Sequence, residues 1–344
     1  MVVNTEEFKK KISLLGLSIA KGIPTKNNMK LIEFTTKNNE VYACTYNDVD
    51  NIKVHIGHSD TDFYLAVEYE SFNSFIKSCE GDTITLENKD SNIQIKSSNV
   101  KGKLPSFNDS KINIPDPENY NSNYDQSLDT TIDISSLKSV INENNVIPVY
   151  RQVYFNDVIM VSDTDNVIYN KTRVFNKNFL LNISSINILN KLSNITYTFN
   201  NKYLNIKSDE CIASMIIDFN TNNDFQYTDL LELFDTVNGA NVEIDTTILT
   251  KALSTSQIFK AIPNMVFNSK GVFLNIAASD FIYQISKSPC SDHVFKLDSE
   301  LSKKICAFSK EIYVYYENDN LIKCVDKNNP NIVAIFSVET IKNE

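Results

Sequence analysis

Three tandem copies of one α+β domain are what this 344-residue sequence predicts. The first observation behind it is a recurring apolar pentad. Phe63-Tyr64-Leu65-Ala66-Val67 returns as Phe179-Leu180-Leu181-Asn182-Ile183 and again as Phe295-Lys296-Leu297-Asp298, with the leading Phe residues 116 positions apart both times. The second is context: a strand ending in a short acidic loop precedes each pentad, and a helix-like stretch follows it. The third is the period, which is too long for a solenoid repeat and close to one domain per copy. The predicted boundaries are 1–118, 119–236 and 237–344.

The first copy opens with an amphipathic helix, because Phe8, Ile12, Leu15 and Ile19 form a single apolar stripe, with Lys10 and Lys21 near the opposite face. Leu31–Phe34 and Val41–Cys44 read as a hairpin turning at Lys37-Asn38-Asn39. The acidic loop Asn47–Asp50, an alternating strand Ile52–Ile56, the pentad, a helix Ser71–Cys79 and strands at 83–86 and 93–95 complete the unit. The second copy repeats that grammar with a helix near 135–142, a hairpin at 153–161, the loop Ser162–Asp165, a helix Ser185–Leu192 and strands at 197–199 and 203–208. In the third, Ile248–Ile258 is the first helix and strands run at 265–267 and 272–276. Asp280 marks its acidic loop, Ser299–Phe308 is the second helix, and strands follow at 312–316, 321–325 and 332–336. Asn/Asp/Pro-rich stretches at 108–130 and 220–228 read as linkers, stiffened by Pro115 and Pro117. Each amphipathic helix must lay its stripe on a sheet, so the helices of a unit share one side.

Composition narrows the function. Apolar content of 42% and charged content of 22% suit a folded globular chain. No run has the length of a membrane span and the first residues are charged, so a cytoplasmic protein with no membrane partner is expected. Six scattered cysteines without a CxxC pair read as reduced, mostly buried thiols. The net charge of −10 argues against holding nucleic acid by bulk attraction, unless positive charge is gathered on one surface.

Catalysis leaves little trace. GxGxxG, P-loop, GxSxG and HExxH patterns are all missing, and no catalytic residue, cofactor or enzymatic activity is expected. His55-x-x-His58 has a metal-pair spacing, but in an alternating strand positions i and i+3 face opposite ways, so no metal is expected there. The acidic loops read as solvated turns with Asx capping rather than as a Mg²⁺ site.

The three pentads, the strand-to-loop segments Val158–Asp163 and Phe273–Asp280, and the opening helix ending in Lys21-Gly22-Ile23-Pro24-Thr25 resemble the bacterial-type DNA sliding clamp, the beta subunit of replicative DNA polymerase. The resemblance runs from about Met1 to Val338. It implies clamp domains with helices on one face and sheets on the other, and a homodimer ring that encircles double-stranded DNA without sequence preference. As a processivity factor without enzymatic activity, such a ring tethers the replicative polymerase, the clamp loader and other partners through short apolar peptides in a cleft between domains 2 and 3.

The lysines on the implied inner helices are Lys10, Lys21, Lys77, Lys138, Lys191, Lys251, Lys260, Lys303 and Lys304. A sliding ring needs only weak, screened phosphate attraction, which reconciles an acidic chain with DNA. For the cleft the resemblance implies Tyr150, Ser162, Thr164, Asn166 and Val167, one wall from Phe225 through Leu230 and Leu231, and another from Ile335, Phe336 and Val338. Two departures are visible. Thr164-Asp165-Asn166-Val167 stands where many relatives carry a Gly-His-Arg-Leu-like run, and Ile335–Val338 with a polar tail replaces a Met-Pro-Met-Arg-Leu-like ending. Both suit a divergent clamp, such as a virus-encoded one. The rival reading is a structural scaffold that uses clamp-like repeats without encircling DNA, and it has no reason to gather lysines on its helices.

Overall fold

The computed structural model describes residues 1–21, 23–61, 63–89, 91–107, 114–120, 123–128, 132, 136–141, 148–163, 165–219, 227–277, 279–316 and 320–341. Among the described residues six α-helices form: α1 Thr5–Leu15, α2 Tyr69–Ser78, α3 Ile183–Leu189, α4 Tyr227–Thr236, α5 Thr246–Ser256 and α6 Ser299–Phe308. The chain divides into two compact units, one from Met1–Ile132 with Leu181–Asp218, the other from Asp133–Leu180 with Phe219–Glu344. The middle repeat thus contributes to both.

In the first unit α1 and α2 lie against each other. Phe8, Ile12 and Leu15 are the buried face of α1, and Tyr69, Phe72 and Ile76 that of α2. Phe72 makes T-shaped contacts with Phe8 and Phe34 at 6.2 and 5.5 Å between ring centres. The stripe continues past α1 only in part, since a single 3₁₀ turn, Gly16–Ser18, follows and Ile19 is already extended. Asn4 and Glu68 cap the two helices by accepting backbone N–H bonds from the first turn.

Two antiparallel sheets support them. One has the order Val2–Asn4, Thr83–Lys89, Asn92–Lys96, Lys101–Pro105. The other runs from Leu65–Glu68 through Leu31–Lys37, Glu40–Tyr46 and Asp50–His58. It then crosses to second-repeat strands Ile212–Asp218, Tyr203–Lys207 and Ile195–Phe199. At that crossing Asp50 pairs with Met215 and Lys53 with Ile212.

Two buried charges mark the crossing. The Asp50 carboxylate accepts hydrogen bonds from the Ser184 hydroxyl at 3.0 Å and from the Ser185 hydroxyl, both in the first turn of α3. Burial dominates those bonds and pushes its pKa up to about 6. Lys53, 4% exposed, donates to Asp116 and Glu118 at 2.8 Å each and lies 4.7 Å from the Tyr42 ring centre. Burial works against its charge, but the two carboxylates outweigh burial and its pKa rises. These bonds fasten the segment around Asp116–Glu118, inside a stretch read as a linker, onto the sheet.

The second unit contains the sheet Asn241–Asp245, Glu311–Tyr315, Leu321–Asp326, Ile332–Ser337, Asn166–Asn170, Ile159–Ser162, Gln152–Phe155. A five-stranded sheet has the order Ile282–Ser286, Gly271–Asn275, Asn264–Asn268, His293–Lys296, Glu339–Thr340. Gly271 has a φ of 129°, and a Cβ there would collide with the Ser286 carbonyl, so this turn requires glycine. Helices α5 and α6 pair as α1 and α2 do, burying Leu249, Ala252, Leu301, Ile305 and Phe308.

Three expectations change. The first helix of the second repeat is reduced, in its described part, to a 3₁₀ turn, Leu137–Ser139; residues 133–135 and 142–147 lie outside the described residues. The repeat register also shifts, because the residues capping α2, α3 and α6 are Glu68, Asn182 and Asp298, 114 and 116 residues apart, so Leu65 rather than Phe63 corresponds to Phe179. Finally, α4 occupies sequence taken partly as linker.

Candidate nucleic-acid and partner surfaces

Helix amphipathicity decides where the lysines stand. With Phe8, Ile12 and Leu15 turned inward, Lys10 of α1 is exposed, flanked by Lys9 paired with Glu6 and Lys11 paired with Glu7. Lys21, Lys77, Lys138, Lys191, Lys251, Lys260 and Lys303 are likewise exposed, and none of these eight is ion-paired to another described residue. Lys10 and Lys191 line one open groove of about 820 Å³, in which Glu6, Glu7, Asp209 and Glu210 also stand. Lys260 holds a left-handed backbone, φ 51°, after the 3₁₀ turn that ends α5. Lys303 borders a 280 Å³ pocket between α5 and α6.

Lys304 differs from its neighbours. Its ammonium is 2.9 Å from Asp163 and 2.9 Å from Glu300, and the Lys304 and Asp163 side chains are 14% and 12% exposed. Burial works against the charge, but the two carboxylates outweigh it and raise the pKa. The ion pair ties α6 to the acidic loop of the second repeat.

The carboxylates of the first two acidic loops hold their own neighbourhoods. Asp163 accepts the backbone N–H groups of Asp165 and Asn166 at 2.8 and 2.7 Å. Asp48, at φ 70°, accepts the hydroxyls of Thr25 and Tyr46 at 2.6 Å each, and these bonds lower its pKa. The two histidines correct the alternation argument. A β-bulge between Val41 and Tyr42 sets Tyr42 opposite His55 and Val41 opposite Gly57, so Ile56 is the extra residue. His55 and His58 consequently share a face, where His55 Nε2 lies 2.6 Å from Glu40 and His58 Nδ1 3.7 Å from it. Among the described residues no three His, Cys, Asp or Glu side chains are arranged to hold a metal ion.

Nine of the eleven cleft residues are described; Thr164 and Phe225 lie outside the described residues. The strand Asn166–Asn170 pairs with Ile332–Ser337, which sets Val167 against Ile335 and Asn166 against Phe336. Cross-strand partners share a face and neighbours along a strand alternate, so these two pairs point opposite ways. Val167 and Ile335 join Tyr154, Met160, Tyr169, Leu180, Phe234, Val237 and Val333 in one cluster, with Leu230 and Leu231 packed against it. Phe336 instead meets Phe308 of α6 edge-on at 6.3 Å, which removes it from a shared groove. Asn166 is 5% exposed and donates from Nδ2 to Asp163 at 3.0 Å, and the Ser162 hydroxyl donates to the Asn166 carbonyl at 3.0 Å. Tyr150 lies in the 3₁₀ turn Pro148–Arg151, partly buried, and Val338 is buried beyond the last long strand.

The face assigned to a partner is therefore covered. Val167 is 4% exposed and Ile335 1%, and α4 supplies the cover through Leu230, Leu231 and Phe234, whose ring meets Tyr169 at 4.0 Å. The residue sequence reading missed is Lys323. It lies opposite Ile335, is 9% exposed, and donates to the Phe234 carbonyl at 3.0 Å and to Asn238 Oδ1 at 2.8 Å. A lysine inside an apolar strand, Leu321-Ile322-Lys323-Cys324-Val325, was the available signal.

No family model matches the sequence, and no curated protein matches it. Solved structures do. The chain is similar to the DNA polymerase III beta subunit of Thermotoga maritima, with a TM-score of 0.78 at 12% identity, covering 100% of this chain and 99% of that one. It is similar to the Caulobacter crescentus beta sliding clamp, with a TM-score of 0.78 at 9% identity over 99% of both chains. It also resembles the Helicobacter pylori beta clamp bound to a DNA ligase peptide, with a TM-score of 0.72 at 11% identity over 99% of both. Over its whole length this chain has the fold of the bacterial beta clamps.

Proposed function

We propose that the chain is a sliding clamp: a homodimer ring that encircles duplex DNA and tethers a polymerase and other partners, with no catalytic centre of its own. The observation that carries this reading is the full-length likeness to clamp structures from several bacteria, unbroken across all three repeats. Eight exposed lysines on or beside the helices support a weak phosphate-facing surface. The sheet edges support the ring. Lys101–Pro105 ends the four-stranded sheet, followed by Phe107 at 48% exposure. Ile282–Ser286 ends the five-stranded sheet, with Ile282 69% exposed; Ile258 (76%) and Ile262 (57%) are exposed in the same repeat. Open strands and exposed apolar side chains at both ends of the three-domain chain fit head-to-tail closure by a second copy. The H. pylori clamp is bound to a DNA ligase peptide, and for this chain a short apolar partner peptide is proposed for the face of Val167 and Ile335.

The test is topological. The chain assembled on a circular plasmid should co-elute with it in gel filtration and be shed when one restriction cut linearises the circle. Equal retention on circles and linear DNA, or none on either, would contradict encirclement and favour a scaffold.

A further inference from the structure

The surface proposed for partner peptides is filled by the chain itself. Helix α4 has ten residues, a length marginal on its own in water, so it depends on the sheet beneath it. Its apolar side chains, Leu230, Leu231 and Phe234, with Val237 just beyond, meet the strand face of Val167, Tyr169, Val333 and Ile335. Its other side, Asp229, Glu232, Asp235 and Thr236, is exposed. At its end, Lys323 from that same face takes the Phe234 carbonyl and the Asn238 side chain, and its ammonium lies 4.9 Å from the Tyr315 ring centre. A cation on the last carbonyls of a helix is a favourable cap.

Resting on the clamp reading, we infer that α4 is an intramolecular occupant of the partner groove, so that α4 and an apolar partner peptide compete for one surface. Phe234 already fills the place of an aromatic anchor, and Lys323 already holds the backbone carbonyl that follows. A competing partner is a short peptide with Leu and Phe anchors that offers Lys323 a carbonyl in exchange. Binding strength is then set by the difference between peptide and α4, and whatever loosens α4 raises affinity without any change in the groove.

The experiment titrates a fluorescein-labelled synthetic peptide of residues 229–238 into the full-length parent and two variants, followed by anisotropy. Phe234→Ala removes the resident anchor. Glu232→Gly changes only an exposed position, lowers helix propensity and leaves core and groove intact, so it stays informative if the first variant folds poorly. Peptide affinity should rise at least about tenfold in Phe234→Ala and about threefold in Glu232→Gly. Amides of α4 should lose hydrogen-exchange protection as peptide is added. Equal affinity for the parent and Glu232→Gly, no binding to any of the three, or binding with α4 still protected would each overturn the inference. Plasmid retention of the same parent sample, measured in parallel, reports separately on the clamp reading.

Discussion

Asp50 shows how a single buried charge sets a pH response. Its carboxyl is fully buried, and two serine hydroxyls compensate only part of the lost hydration, so the folded state holds the proton up to about pH 6 against 3.8 for an ordinary aspartate. At pH below 3.8 the group is neutral whether the chain is folded or not. As pH rises from there to 6, the unfolded chain gives up its proton first, and stability falls by up to about 3 kcal/mol before levelling off. Asp50→Asn keeps an acceptor for a serine and carries no charge. Denaturant unfolding should show this variant more stable than the parent at pH 7.5, with the gain vanishing toward pH 4. A variant less stable at pH 7.5 would mean that the ionised carboxylate contributes net stability at this crossing. Neither the burial of Asp50 nor its serine partners could be read from the sequence, where Asn47–Asp50 looks like one more solvated turn.

Elements differ in how openly the sequence declares them. Helices α1, α2, α5 and α6 were legible within two residues or so, apart from the 3₁₀ turns that end the α1 and α5 stripes, because a sheet below each helix demands a regular stripe. Helix α4 was hidden, since its neighbours are Asn- and Asp-rich, although Leu230, Leu231, Phe234 and Val237 have helical spacing with no Gly or Pro before Gly239. The bulge at Ile56 was invisible because one extra residue changes the face of His55 and His58 without changing any hydrophobic pattern. Of the residues expected in the cleft, Val167 and Ile335 stand opposite each other on paired strands and Phe336 lies on the other face, while the burial of Lys323 beside them went unread. The segment bonded to Lys53 allows a test at this scale. Lys53→Met should release Asp116 and Glu118, both about one-third exposed, at a cost of about 1–2 kcal/mol after solvent screening. Faster proteolytic nicking between 108 and 130, with the amides of 50–58 still protected, is the expected result. Unchanged nicking would show that the segment is held by other means.

At the scale of the molecule the proposed clamp combines weak DNA attraction with closure by a second copy. Reversing Lys77, Lys191 and Lys303 to Glu together should reduce retention on circular DNA in a graded, salt-sensitive way while leaving thermal unfolding unchanged, because all three are exposed and unpaired among the described residues. Retention equal to the parent at low salt would turn these helices away from DNA. In the proposed ring, closure uses the two sheet edges, and a charge in an apolar edge contact is costly, so Ile282→Glu should dissociate the assembly without unfolding the chain. The measurement that tests the ring most directly is sedimentation equilibrium of the parent and Ile282→Glu at micromolar concentration. The account predicts a parent of about twice 39.1 kDa and a variant near 39.1 kDa. A parent that sediments at 39.1 kDa at every concentration would contradict it.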